Sequence, residues 1–166
     1  PTLENLLLSS GTASGKTEAA FLPVLTQLWE NPSASVGVLY LSPLKALIND
    51  QFERLEGLLE EAAIPVTKWH GDASAAAKKR VMKRPQGVIQ TTPESLESML
   101  MHNSSGAYRL FSDLRFIIID EMHYFMDNDR GLQLLCLLER LARLIGYHPR
   151  RIGLSATLGD CTSAVQ

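Results

Sequence analysis

The sequence predicts an α/β fold built on a doubly wound, mainly parallel sheet, and three observations carry that expectation. Short apolar runs alternate with amphipathic helical stretches along all 166 residues. One run, Phe116-Ile117-Ile118-Ile119, is apolar at every position, as expected of a strand covered on both faces by crossover helices. A small-residue loop, Ser10–Thr17, joins the first apolar run to the first helical stretch.

The strand-like runs, in order, are Leu6–Ser9, Val36–Leu41, Val66–His70, Val88–Gln90, Phe116–Asp120 and Ile152–Ser155. Between them Ile48, Phe52, Leu55 and Leu59 step by four, three and four, tracing one face of a helix. Leu134, Leu138, Leu141 and Ile145 trace another, with Gly146 as its stop. Cys136 falls within that helical pattern and reads as a core residue. Asn31–Ser35 is a loop by composition. In doubly wound sheets ligands bind at the carboxyl ends of the strands, and the chemically suggestive groups of this chain fall just after strand-like runs.

Length and composition fit one soluble globular domain: 45% of residues are apolar and 20% charged. The net charge of −2 does not advertise a nucleic-acid partner, although a local patch could still bind one. No apolar run approaches the roughly 18 residues of a membrane span, and no secretory leader pattern is present. Cys136 and Cys161 make neither a disulfide framework nor a metal spacing. The expected setting is reducing and cytoplasmic, without a membrane.

Ser10-Gly11-Thr12-Ala13-Ser14-Gly15-Lys16-Thr17 has the composition of a phosphate-binding loop. Backbone N–H groups and a helix N-terminus favour anions, Lys16 adds a mobile cation and Thr17 offers a hydroxyl to magnesium. The general pattern places Gly where Ser10 stands, and many such loops carry a second Gly at Ala13; both positions are expected at φ below zero. The run Phe116–Asp120 then ends in Asp120-Glu121-Met122-His123. In that arrangement Asp120 holds magnesium through water and Glu121 orients or deprotonates the attacking water. His123, beside that carboxylate pair, suggests a coupling role. Asp127–Gly131 does not fit a calcium loop, because Gly131, Leu132 and Leu138 occupy positions five, six and twelve; it reads as a polar turn. Lys78-Lys79-Arg80 with Lys83 and Arg84 is the one basic cluster. It reads as a solvated helix face, with a phosphate contact as the rival reading.

The ordered set Thr12–Thr17, Ser42-Pro43-Leu44-Lys45-Ala46-Leu47, His70-Gly71-Asp72, Thr92-Pro93-Glu94-Ser95-Leu96, Asp120–His123 and Ser155-Ala156-Thr157 resembles motifs I, Ia, the Gly-Asp element, Ib, II and III of superfamily 2 helicases. The wording Ser-Pro-Leu-Lys-Ala-Leu-Ile-Asn-Asp, and Arg130-Gly131 ahead of a Leu-Glu-Arg-Leu helix, resemble the large-helicase-related (Lhr-like) DExH group. The resemblance spans essentially the whole chain. It implies a RecA-like three-layer α/β/α sandwich of the phosphate-loop type, with residues 1–166 forming the first RecA-like domain of a longer protein. It further implies ATP and Mg2+ as cofactors. Thr12, Ala13, Ser14, Gly15, Lys16 and Thr17 would bind the nucleotide, with Lys16 on the β- and γ-phosphates. Thr17 and Asp120 would hold the metal, and Glu121 would be the catalytic base. His123, Ser155 and Thr157 would link the ATP site to the nucleic-acid path. Pro43, Leu44, Lys45, Gly71, Thr92, Pro93 and Glu94 would lie along the backbone of one DNA or RNA strand, which helix N-termini cradle without reading sequence.

The upstream adenine-reading motif and the second RecA-like domain, with its arginine fingers, are absent from these residues. The resemblance therefore implies a lobe that binds ATP and hydrolyses it poorly alone, in a protein that moves 3′ to 5′. Rival readings are a translocase or remodeller without strand separation, and a nucleotide-dependent binding module. A small-molecule kinase would share Lys16 and Thr17 but leave Pro43–Leu47, Thr92–Leu96 and Ser155–Thr157 unexplained.

Overall fold

The computed structural model describes residues 5–9 and 15–156. Six strands, β1 (Leu6–Ser9), β2 (Val38–Leu41), β3 (Val66–Trp69), β4 (Val88–Thr91), β5 (Phe116–Ile119) and β6 (Arg150–Ser155), form one sheet in the order β1-β6-β5-β2-β4-β3. Every pairing is parallel. The helices are α1 (Lys16–Glu30), α2 (Lys45–Glu60), α3 (Ala75–Lys83), α4 (Pro93–His102), α5 (Ser104–Phe111) and α6 (Asp129–Ile145), with a 3₁₀ turn at Met122–Phe125.

The period-2 alternation of the strands sorts the core into two layers. Val38, Tyr40, Phe116 and Ile118 face α1 and α2, where they meet Phe21, Val24, Leu55 and Leu59. Leu39, Leu41, Ile117 and Ile119 face the other way, against Leu96, Leu110, Leu134 and Leu138 of α4 to α6. Helices therefore cover both faces, which is why β2, β4 and β5 are buried at every position. This is the three-layer RecA-like sandwich.

Local chemistry sets the helix ends. Thr92 Oγ1 accepts from Ser95 N at the start of α4, with Pro93 at the first helical position where its missing N–H costs nothing. Asn128 Oδ1 accepts from Arg130 N and Gly131 N at the start of α6. Gly146, in the left-handed region at φ 89°, closes α6 by donating to Ala142 O.

Cys136 is a correction: it is exposed. The buried face of α6 runs through Leu134, Leu137, Leu138, Leu141, Ala142 and Ile145. At 100° per residue, position 136 points away from that stripe.

Candidate nucleotide site and nucleic-acid groove

The candidate residues that are described lie at or beyond the carboxyl ends of the parallel strands. Gly15, just before α1, has φ 72°, a conformation cheap only for glycine. It is the N-cap of α1 and its side gives no capping bond, so the first-turn N–H groups, with Lys16 and Thr17, are placed for an anion. Thr12, Ala13 and Ser14, together with the expected backbone of Ser10 and Ala13, lie outside the described residues, as does Thr157. Glu18, in the same turn, forms an ion pair with Arg54 of α2, whose Nε lies 2.7 Å from Oε1. A backbone hydrogen bond and Arg54 hold the Glu18 carboxyl below its ordinary range, against the opposing effect of burial.

Asp120 leaves β5 with its side chain 5% exposed. Its N–H donates to Leu41 O at 2.8 Å, anchoring it to the end of β2. Oδ1 accepts from Glu121 N at 2.9 Å and Oδ2 from the Tyr40 hydroxyl at 2.6 Å. Glu121 itself adopts φ 47°, ψ 47°, an uncommon conformation for a residue with a side chain and one that clusters at functional sites. The turn brings His123 back: Nε2 lies 3.4 Å from Glu121 Oε2 and Nδ1 3.4 Å from Ser155 Oγ at the end of β6. A carboxylate only accepts, so a proton on Nε2 faces Glu121, while donor and acceptor at Nδ1 and Ser155 Oγ follow the ring's tautomer. Glu121, His123 and Ser155 thus form one connected line between β5 and β6.

Oxygen donors are what a magnesium ion takes, and it takes few from protein. The Thr17 hydroxyl and the Asp120 carboxylate are donors of that kind: the Tyr40 hydroxyl donates to Asp120 Oδ2, and the Thr17 side chain interacts with the same phenol. Among the described residues no cluster of three or more His, Cys, Asp or Glu side chains could hold a metal ion.

A groove of about 640 Å³ opens beyond β2, β3 and β4. Pro43, Leu44 and Lys45 at the start of α2, Gly71 after β3, and Thr92 and Glu94 at the start of α4 all line it. Three separated stretches of sequence therefore form one surface. Pro93 does not line it; it is buried at the base of α4. Two further cations are here as well: Arg130, which sequence reasoning did not assign to the strand path, and Lys78, for which it held a phosphate contact as the rival reading. Arg130 Nη2 donates to Pro43 O at 3.0 Å and to Glu94 Oε1 at 2.8 Å, strapping α6 to the starts of α2 and α4. Lys78 Nζ donates to His70 O at 2.5 Å and lies 5.7 Å from the Trp69 ring centre. Of the basic cluster, Lys79, Arg80, Lys83 and Arg84 are exposed, as the solvated-face reading expects, whereas Lys78 turns into the groove. Lys45 pairs with Asp72 at 3.1 Å. His70 is buried with no hydrogen-bond partner for either ring nitrogen, and burial pushes its pKa down, so the ring is neutral.

An anion-ready helix start after β1, paired carboxylates after β5 and a groove along the same sheet edge define a phosphate-loop nucleotide-binding lobe. The DEAD/DEAH box helicase model matches residues 1–164, and the chain belongs to that family. It is 37% identical over 170 residues to the ATP-dependent helicase Lhr-Core of Methanothermobacter thermautotrophicus, a match covering 93% of this chain and 19% of that protein. The structure of Mycobacterium smegmatis helicase Lhr bound to ssDNA and AMP-PNP superposes with a TM-score of 0.78 at 35% identity, over 93% of this chain and 21% of that one. The helicase MrfA bound to DNA and AMPPNP gives 0.82 at 31% identity, over 95% and 22%. The chain thus spans about one fifth of the length of these relatives. Among the described residues no helix is long and apolar enough to cross a membrane.

Proposed function

We propose that residues 1–166 are the first RecA-like lobe of an Lhr-like DExH motor, which couples ATP hydrolysis to movement along, or unwinding of, a DNA or RNA strand in the cytoplasm. The observation that carries this reading is the shared sheet edge: the groove lined by Pro43, Leu44, Lys45, Gly71, Thr92 and Glu94 and the Asp120–Glu121 turn both follow the carboxyl ends of parallel strands, with β2 paired to β4 on one side and to β5 on the other.

In this reading the α1 start and Lys16 bind the triphosphate of ATP, and Thr17 and Asp120 hold Mg2+. The ion would screen the charge of the β- and γ-phosphates. Glu121 orients the attacking water and accepts its proton. Its backbone conformation fixes the direction of that carboxylate, and His123 holds one oxygen. His123 and Ser155 then pass the state of the γ-phosphate site to β6, with Thr157 beyond. On the groove side, the uncapped N–H groups at the start of α2 and those at the start of α4 take strand phosphates, joined by Lys45. Contacts of this kind serve any base, which reconciles strand binding with a net charge of −2. A second RecA-like lobe would supply the opposing arginines and the other half of the strand path.

ATP turnover by the full-length protein, measured with and without a single-stranded oligonucleotide, tests the proposal. Strand-stimulated turnover that disappears in Glu121→Gln is the expected result; turnover indifferent to both oligonucleotide and Glu121 would exclude it. A duplex-unwinding assay separates the helicase from a translocase.

A further inference from the structure

Tyr40 occupies a position that needs only an apolar side chain. It lies on the α1–α2 face of β2, is wholly buried, and stacks on Phe21 with ring centres 5.6 Å apart. A phenylalanine would fill the same space. The hydroxyl is therefore an addition whose burial is unfavourable unless it is hydrogen-bonded, and its partners are specific. It lies 2.6 Å from Asp120 Oδ2 and 2.5 Å from the Gln51 side-chain oxygen, and the Thr17 side chain interacts with it. One phenol proton cannot serve two acceptors. The charged carboxylate takes it, and the Gln51 amide, turned about its terminal bond, offers an N–H to the phenol oxygen.

We propose that Tyr40 is a positioning residue for the divalent-metal site: its hydroxyl holds the Asp120 carboxylate in the orientation that receives Mg2+, and through Gln51 it ties that carboxylate to α2. This rests on the reading of Thr17 and Asp120 as the metal-holding pair. Three elements meet at one oxygen: the α1 start, the end of β5, and α2, whose first turn lines the strand groove. Without that donor, Asp120 Oδ2 would be free to rotate and the Gln51 amide would be left facing a ring edge.

The test is binding of a fluorescent, non-hydrolysable ATP analogue as a function of Mg2+ concentration, with a parallel titration in EDTA. Tyr40→Phe keeps the ring and its packing. It is expected to raise the half-saturating Mg2+ concentration about tenfold, consistent with losing one hydrogen bond to a charged group, and to leave affinity in EDTA unchanged. Gln51→Leu should shift the Mg2+ requirement the same way by less, and it decides the matter if Tyr40→Phe does not fold. An unchanged Mg2+ requirement, or equal weakening with and without Mg2+, would overturn the proposal. Asp120→Asn separates the two levels: if it too leaves the Mg2+ requirement untouched, the assignment of the metal pair fails, and Tyr40 with it.

Discussion

Replacing Lys45 and Lys78 together by alanine is expected to reduce the salt dependence of strand binding by the share of two phosphate contacts. Both ammonium groups line the groove, but they are held differently. Lys45 sits 3.1 Å from Asp72 in an exposed pair, and Lys78 is tethered to the His70 carbonyl. For single strands each neutralised phosphate contributes about −0.7 to the slope of log affinity against log salt. The double variant should therefore flatten that slope by about 1.4. Over a fourfold rise in salt, from about 50 to about 200 mM, the unaltered protein would lose about sevenfold more affinity than the variant. Fluorescence anisotropy of a labelled oligonucleotide on the full-length protein reads this directly, because contacts from elsewhere in the protein cancel in the difference. The Asp72 carboxylate competes for Lys45, so Asp72→Asn should tighten binding, by less than about fivefold given how exposed the pair is. An identical slope in the double variant would refute the placement of the strand in this groove.

Glu121→Gln should retain ATP-analogue binding and lose about 10²–10⁴ in turnover, the usual share of a general base; comparable turnover would remove Glu121 from that role. Gly131→Ala would bring a Cβ to 2.0 Å from the Phe125 carbonyl oxygen. Because that oxygen belongs to rigid backbone, a loss of about 1–3 kcal/mol is expected in denaturant unfolding, and an unchanged midpoint would contradict the packing of the 3₁₀ turn on α6. Glu18 has a folded-state pKa below its ordinary value of 4.5. Its contribution is present above that value and lost as pH falls through the lower folded one, so Glu18→Gln should flatten the stability profile below pH 4.5. A profile unchanged from the parent in that range would mean the carboxyl is not perturbed.

The legible parts of this molecule are those in which a local pattern reports a local constraint. Phe116–Ile119 reads as a doubly covered strand because every position is apolar, and β5 is buried throughout. The α6 stripe and its glycine stop follow from helical period and cap chemistry. Cys136 is misplaced although the helical period alone sets it off the buried face of α6. The other misplacements arise where a side chain's direction depends on a neighbour distant in sequence. Arg130 sits in a polar turn by sequence, yet reaches Pro43, 87 residues away. Lys78 is indistinguishable from Lys79 in a run of cations until β3 places Trp69 and the His70 carbonyl beside it. Pro23 stands inside α1, where propensity alone would have broken the helix; the α1 residues Phe21, Val24 and Leu25 are all buried, and packing of that face outweighs the local cost.

By itself the sequence determined the alternation of strands and helices, the small-residue Gly-Lys-Thr composition of Ser10–Thr17 and the carboxylate pair after β5. These are properties of period, turn chemistry and residue type that act over a few positions. Only the tertiary structure decided that Pro43, Gly71 and Thr92 share one groove. It alone decided that His123 joins Glu121 to Ser155, and that an apparently ordinary core residue, Tyr40, brings its hydroxyl to Asp120. Each of these depends on the order in which parallel strands are laid side by side. Strand order brings residues far apart in sequence to one sheet edge, and no local pattern along the chain encodes it.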